Sequence, residues 1–221
     1  MNEADTTMGP IATEETPSPN VIACNNIRKD YRNHTALLDV DLKVPQGKVF
    51  ALLGENGAGK TTLIRILTGY LACTSGNAMI PGMDCSREAQ SIRKQIGYVS
   101  DTPSLYEWMT PPEIGWFASA FYDDTFIPRY RELLDEFLVP SDTKIKSLSK
   151  GQRAKVALAL ATAHDPELLI LDEPTSGLDP IVRRQFLESM VQRAASGRTV
   201  LLSSHQINEV CLLYTSPSPR D

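Results

Sequence analysis

Histidine is scarce in this 221-residue chain: there are three, His34, His164 and His205. Neither His34 nor His164 has a partner at metal-ligand spacing. The four cysteines, Cys24, Cys73, Cys85 and Cys211, form no CxxC pair. That excludes a zinc-ribbon reading and a small disulfide scaffold, and leaves free thiols of a reducing compartment as the expectation. Long apolar runs are missing too. Stretches such as Leu168-Leu169-Ile170-Leu171 fall far short of the ~18–20 residues that cross a bilayer. The start of the sequence has no basic segment followed by an apolar core, so no secretory signal is read there. An excess of positive charge is also lacking: 22 Lys+Arg stand against 27 Asp+Glu, for a net charge of −5. This argues against a broad basic surface that grips nucleic acid, and no nucleic-acid partner is expected.

What is present is ordinary for a soluble globular protein, with 42% apolar and 22% charged residues. Residues 1–20 hold Glu3, Asp5, Glu14 and Glu15 and no Lys or Arg, so they carry most of the net charge. Rich in Thr, Pro and Ser and without apolar periodicity, they read as a disordered acidic tail. Order is expected from Val21. Alternation over 37–44 predicts a half-buried strand, and 48–53 predicts a buried strand that enters a Gly-rich loop. A helix follows over 60–68, then a short strand near 78–80, a helix near 86–94 and a strand at 96–99. Helical spacing recurs over 111–121, 127–138 and 150–163. A strand at 167–171, a helix at 180–195, a strand at 199–203 and a short helix from 206 complete the pattern. Strands alternating with helices imply an α/β fold with a mostly parallel sheet core and crossover helices. The strandless block at about 102–163 predicts an inserted helical subdomain. Residues 211–221 break the pattern with two Ser-Pro steps. They read either as a short exposed tail or as non-native sequence resembling a translated sequencing adapter.

The strongest chemical signal is the run Gly54, Glu55, Asn56, Gly57, Ala58, Gly59, Lys60, Thr61, followed by Thr62. It matches G-x-x-x-x-G-K-[ST] between a predicted strand and a predicted helix, the pattern of a P-loop. Its glycines let backbone N–H groups wrap phosphate oxygens, and the helix start adds its positive dipole end. Lys60 is expected on the β- and γ-phosphates, and the Thr61 hydroxyl on Mg2+. Second, the apolar strand 168–171 delivers Asp172 and Glu173 to its C-terminal end. Asp172 is there expected near the metal, and Glu173 is placed to take a proton from an attacking water.

With these in place, the chain resembles the ATP-binding cassette (ABC) family over about residues 21–210. Leu148-Ser149-Lys150-Gly151-Gln152 is similar to the family's signature motif, Ser176-Gly177-Leu178-Asp179 to its D-loop, and His205 to its switch histidine. Tyr31 fits the aromatic that stacks on adenine. The detail resembles cassettes of bacterial exporters of the ABC-2 type. Two positions depart from the pattern. Asp101 stands where the family usually has Gln after the strand at 96–99; its contact with Mg2+ or water is left open against an indirect role. Lys150 stands where the signature most often has Gly. It is expected either opposite a partner's phosphate or as a solvated cation. The strands and helix expected after His205 are absent from the sequence, which is therefore expected to be C-terminally truncated.

The resemblance implies a cytoplasmic ATPase bound at the inner face of the membrane through an integral-membrane permease. Two cassettes, identical or different, would meet head to tail around two ATPs. Each ATP would sit on one subunit's loop 54–62 and under Ser149, Lys150, Gly151 and Gln152 of the other. Glu173 would activate water, His205 steady the γ-phosphate and Asp179 link the two sites. A soluble cassette acting in translation or DNA repair is the alternative, set against the single cassette and the short span between Thr61 and Ser149. A regulator that binds ATP without cleaving it is opposed by Glu173 and His205. Of the remaining residues, His34 and His164 are expected at the surface and Arg183-Arg184 on a solvated helix face. Trp108, Trp116, Phe117, Phe121 and Tyr122 are expected to pack a core, or else to line a groove that receives a membrane subunit's helix.

Overall fold

A computed structural model describes residues 20–206. Most of the acidic tail, the short helix expected from 206 and the segment 211–221 lie outside the described residues. The elements run β1 (Asn20–Tyr31), β2 (His34–Pro45), β3 (Val49–Leu53), α1 (Lys60–Leu67), β4 (Ser75–Ile80), β5 (Met83–Asp84), α2 (Ala89–Gln95), β6 (Ile96–Val99), α3 (Pro111–Ser119) and α4 (Phe126–Glu136). After a 3-10 turn at Ile145–Ser147 come α5 (Lys150–Thr162), β7 (Leu168–Leu171), α6 (Pro180–Ala195) and β8 (Thr199–Ser204).

The expected parallel core is present as a four-stranded sheet in the order β3-β8-β7-β6. Its central strand β7 reads Leu-Leu-Ile-Leu and is buried at every position, as a strand covered on both faces should be. A second four-stranded sheet, β2-β1-β4-β5, is antiparallel and stands beside the parallel one as an addition to the expected core. Its long strand β1 begins one residue inside the presumed tail, with Asn20 paired to Pro45.

Two apolar cores cover the parallel sheet. One joins α1 and the antiparallel sheet through Leu63, Ile64, Ile66 and Leu67 with Ile22, Ile27 and Ile80. The other joins α5 and α6 through Leu158, Phe186, Leu187 and Met190 with Leu169, Leu171 and Leu202. Gly97 allows the approach of α5 to β6, since a Cβ there would stand 2.2 Å from the Ala161 carbonyl oxygen. The strandless block forms a third core, with Phe126, Tyr130, Leu133 and Leu134 of α4 against Ile114, Ile145 and Val156. Tyr130 is fully buried there, and its hydroxyl donates to the Pro111 carbonyl at 2.8 Å.

The exposed aromatics depart from core packing. Trp108, Trp116 and Phe121 are 64%, 74% and 66% exposed, and Tyr106, Phe117 and Phe121 form an edge-to-face row on the helical lobe. Of the expected cluster, Tyr122 turns inward and stacks on Phe126 and His164. His164 is accordingly no surface residue. It is half-buried, with Nε2 on the Ile96 carbonyl at 3.2 Å, and burial holds its pKa below the ordinary 6.5. His34 is exposed, as expected, and stacks on Tyr31. Among the described residues no helix is long and apolar enough to cross a membrane, and Cys24, Cys73 and Cys85 are free.

Candidate functional site

Parallel strands bring their C-terminal ends to one edge of a sheet, and chemistry from distant parts of the sequence collects there. β3 ends in the loop 54–59, β7 in Asp172 and Glu173, β8 in Ser203, Ser204 and His205, and β6 leads to Asp101. The ends of β3 and β8 are stitched together by the Gly54 N–H on the Ser204 carbonyl at 3.3 Å.

The loop is shaped by glycine. Gly57 and Gly59 adopt φ of +87° and +89°, and Gly59 caps α1. At Gly59 there is a second reason for glycine: a Cβ would lie 2.7 Å from the Ala36 carbonyl oxygen and from Leu37 Cδ2. Glu55, Asn56, Gly57 and Ala58 are exposed, so the loop's outer face is open to a ligand. Lys60 Nζ folds back over it, donating to the Gly54 and Glu55 carbonyls at 2.6 and 3.0 Å. Thr62 is half-buried on the next turn position of α1.

Asp172 is 1% exposed, and its Oδ1 accepts from the Thr61 hydroxyl at 3.1 Å and the Ser203 hydroxyl at 2.8 Å. Ser203, which the sequence reading passed over, also accepts the Glu173 N–H at 2.9 Å and so orients both acids. The Ser-Ser-His run at a strand end was its available signal. Glu173 takes φ of +48°, an uncommon setting for a residue with a side chain. It aims its carboxylate between two cations or donors: Lys60 Nζ at 3.1 Å from Oε1, and His205 Nδ1 at 2.8 Å from Oε2. The oxygen pair of Thr61 and Asp172 fits Mg2+, which binds through one or two protein oxygens together with phosphate and water. Among the described residues no group of three His, Cys, Asp or Glu side chains is placed to hold a metal.

The other motif residues lie apart from this cluster or serve local structure. Ser149 caps α5, accepting from the Gln152 N–H at 3.2 Å while its own N–H donates to Gln152 Oε1 at 2.9 Å. Lys150 opens α5 and Gly151 faces Val182. The Lys150 ammonium rests over the D-loop, where a Cβ at Gly177 would stand 2.5 Å from it. Asp179 caps α6 by accepting from the Ile181 and Val182 N–H groups at 3.1 and 3.0 Å. Arg183 is not on a solvated face: it is half-buried and bonded to Leu178 and Gln206, whereas Arg184 is exposed and paired with Glu188. Tyr31 is 42% exposed with one ring face on His34 at 5.3 Å. Asp101 is exposed and makes no hydrogen bond to a described residue.

Among the described residues, a cavity of about 710 Å3 contains none of the phosphate-loop residues. It lies between the parallel sheet and the helical lobe, with Arg65, Arg93, Tyr98, Leu105, Tyr122 and His164 on its walls.

A parallel sheet, a glycine loop running into α1, and an aspartate hydrogen-bonded to the loop's threonine define a P-loop nucleoside triphosphatase. The ABC transporter family profile matches residues 37–176. An uncharacterized ABC transporter ATP-binding protein of Nostoc sp. is 36% identical over 214 residues, covering 90% of this chain and 63% of its own length. The lantibiotic transport ATP-binding protein SrtF of Streptococcus pyogenes is 34% identical over 195 residues, covering 86% of this chain and 82% of its own. The solved dimeric structure of MJ0796, described as a bacterial ABC transporter cassette, superposes with a TM-score of 0.78 at 25% identity, covering 86% of this chain and 90% of that one. The chain belongs to the ABC transporter family, as one of its ATP-binding cassettes.

Proposed function

We propose that this cassette binds Mg-ATP on the loop 54–62, pairs head to tail with a second cassette, and powers export through a separate permease. The observation that carries this reading is the convergence of Lys60, Thr61, Asp172, Glu173 and His205 at one sheet edge. Lys60 would exchange its carbonyl contacts for the β- and γ-phosphates, and Thr61 and Asp172 would hold Mg2+, which supplies charge neutralisation on the phosphates. Tyr31, with His34 stacked on its ring and the Lys29 ammonium 5.5 Å from the ring centroid, would exchange one of these neighbours for adenine. Glu173 would orient and deprotonate water, and His205 would contact the γ-phosphate.

Ser149 and Gln152 bond each other, and Lys150 and Gly151 face the D-loop and Val182, which leaves this segment for use across a dimer. Asp179 would meet the partner at the same interface. The similarity to a dimeric cassette and to a lantibiotic transport protein supports pairing and transport respectively. The cavity beside the helical lobe, with Tyr122 and His164 inside and the exposed aromatic row nearby, would receive a helix of the permease at the cytoplasmic face of the membrane. Asp101, exposed after β6, is read as an indirect participant.

Titration with a fluorescent ATP analogue tests the assignment of the loop. Lys60→Ala should weaken binding by the worth of a charged hydrogen bond, about 1.5–3 kcal/mol. Equal affinity in both proteins would remove Lys60 from the nucleotide site.

A further inference from the structure

Arg183 sits on the first turn of α6 with its guanidinium between two loops. Nη2 donates to the Leu178 carbonyl of the D-loop at 3.2 Å, and Nη1 donates to Gln206 Oε1 at 2.8 Å. A guanidinium can only donate, so the Gln206 atom facing it must be the amide oxygen. The amide nitrogen then points the other way, and it lies 3.4 Å from His205 Nε2. An amide nitrogen also can only donate, so His205 Nε2 must offer its lone pair. The ring proton is thereby placed on Nδ1, which donates to Glu173 Oε2 at 2.8 Å. Each assignment forces the next, from a main-chain carbonyl in the D-loop to the carboxylate at the end of β7.

We propose that Arg183 and Gln206 are positioning residues that hold His205 in its Nδ1–H form against Glu173, and that key this setting to the D-loop at Leu178. The consequence rests on the function proposed above. A histidine held this way presents a bare nitrogen at Nε2, which is the wrong polarity for a phosphate oxygen. A γ-phosphate contact needs an N–H there. The D-loop is the segment that a second cassette would meet through Asp179. Moving Leu178 takes away one of the bonds that orient Arg183, releases the Gln206 amide and lets the imidazole present Nε2–H. The resting cassette is thus kept from premature turnover by its own D-loop, and pairing lifts the restraint.

The histidine tautomers can be read directly by 15N NMR of the imidazole nitrogens in the nucleotide-free 221-residue chain. The spectra are recorded near pH 8, where a free histidine, with its ordinary pKa of about 6.5, is neutral. The three histidines make the spectrum assignable, and His164 is an internal contrast because its Nε2 faces the Ile96 carbonyl and so carries the proton. The expected result is Nδ1–H for His205 and Nε2–H for His164. Arg183→Ala should shift His205 toward Nε2–H while His164 stays unchanged. Gln206→Glu, a loop substitution that puts an acceptor opposite Nε2, should place the proton on Nε2 without disturbing the fold. An Nε2–H form of His205 in the parent chain, or an unchanged tautomer in both variants, would overturn the proposal. Because no nucleotide is present, the outcome is independent of the ATPase reading.

Discussion

Lys60 Nζ stands 3.1 Å from Glu173 Oε1, and both side chains are largely covered, at 8% and 14% exposure. The lysine proposed for phosphate and the carboxylate proposed for water therefore neutralise each other in the nucleotide-free chain. An entering triphosphate has to compete with that carboxylate for the lysine. Glu173→Gln removes the competitor's charge and keeps its shape. Its ATP affinity should be tighter than that of the parent, by up to about tenfold or 1.4 kcal/mol. Equilibrium binding under non-hydrolysing conditions checks this; weaker binding would show that Glu173 helps hold the nucleotide.

The two positive-φ glycines of the loop should respond differently to alanine. Both substitutions place a Cβ in left-handed backbone, at about 1–2 kcal/mol. Only at Gly59 would that Cβ also collide with the Ala36 carbonyl and Leu37, whereas at Gly57 nothing lies within 4 Å. Gly59→Ala should lower thermal stability and abolish nucleotide binding, and Gly57→Ala should do so far less. Thermal melts with and without ATP give the comparison, and equal damage would contradict the packing argument.

Lys150 rests on the D-loop in the single chain. If it faces the partner's γ-phosphate in the pair, Lys150→Gly should weaken ATP-driven dimerisation and leave monomer affinity unchanged. Analytical ultracentrifugation with and without Mg-ATP reads both. An unaffected dimer would make Lys150 a solvated cation.

His164 gives the fold a pH dependence. Its folded pKa is lowered by burial, so the unfolded chain takes up the proton first. The stability contributed by neutral His164 is present above pH 6.5 and is lost as pH falls through 6.5 toward the folded pKa. Urea midpoints should drop more between pH 7.5 and 5.5 in the parent than in His164→Gln. Parallel curves for the two would exclude His164 as the source.

The parts that were legible in the sequence are those in which one residue pattern has one physical outcome. β7 is apolar at every position because both of its faces are covered, and the loop 54–59 needs glycine for its φ values. β1 was passed over because Cys24-Asn25-Asn26-Ile27 breaks alternation. The structure has a register shift between Cys24 and Ile27, with Asn26 at φ of +48°. Ser149 and Asp179 were read as motif residues, while their helix caps went unnamed. The signals were present: Ser149-x-x-Gln152 is a capping box, and Pro180 follows Asp179 at the first helical position. Arg183 and His164 were misplaced for another reason. Whether a polar residue on a helix meets solvent or a neighbouring loop depends on what packs there, and a single sequence does not carry that.

In the proposed cycle ATP joins two cassettes, and Glu173 ends the union by promoting hydrolysis of the ATP. The direct measurement is size-exclusion chromatography of the Glu173→Gln chain with Mg-ATP, paired with single-turnover hydrolysis. A positioned general base contributes about 10²–10⁴-fold, so turnover should fall by that factor while a stable dimer elutes. Near-parental turnover, or a monomer at saturating Mg-ATP, would contradict the account.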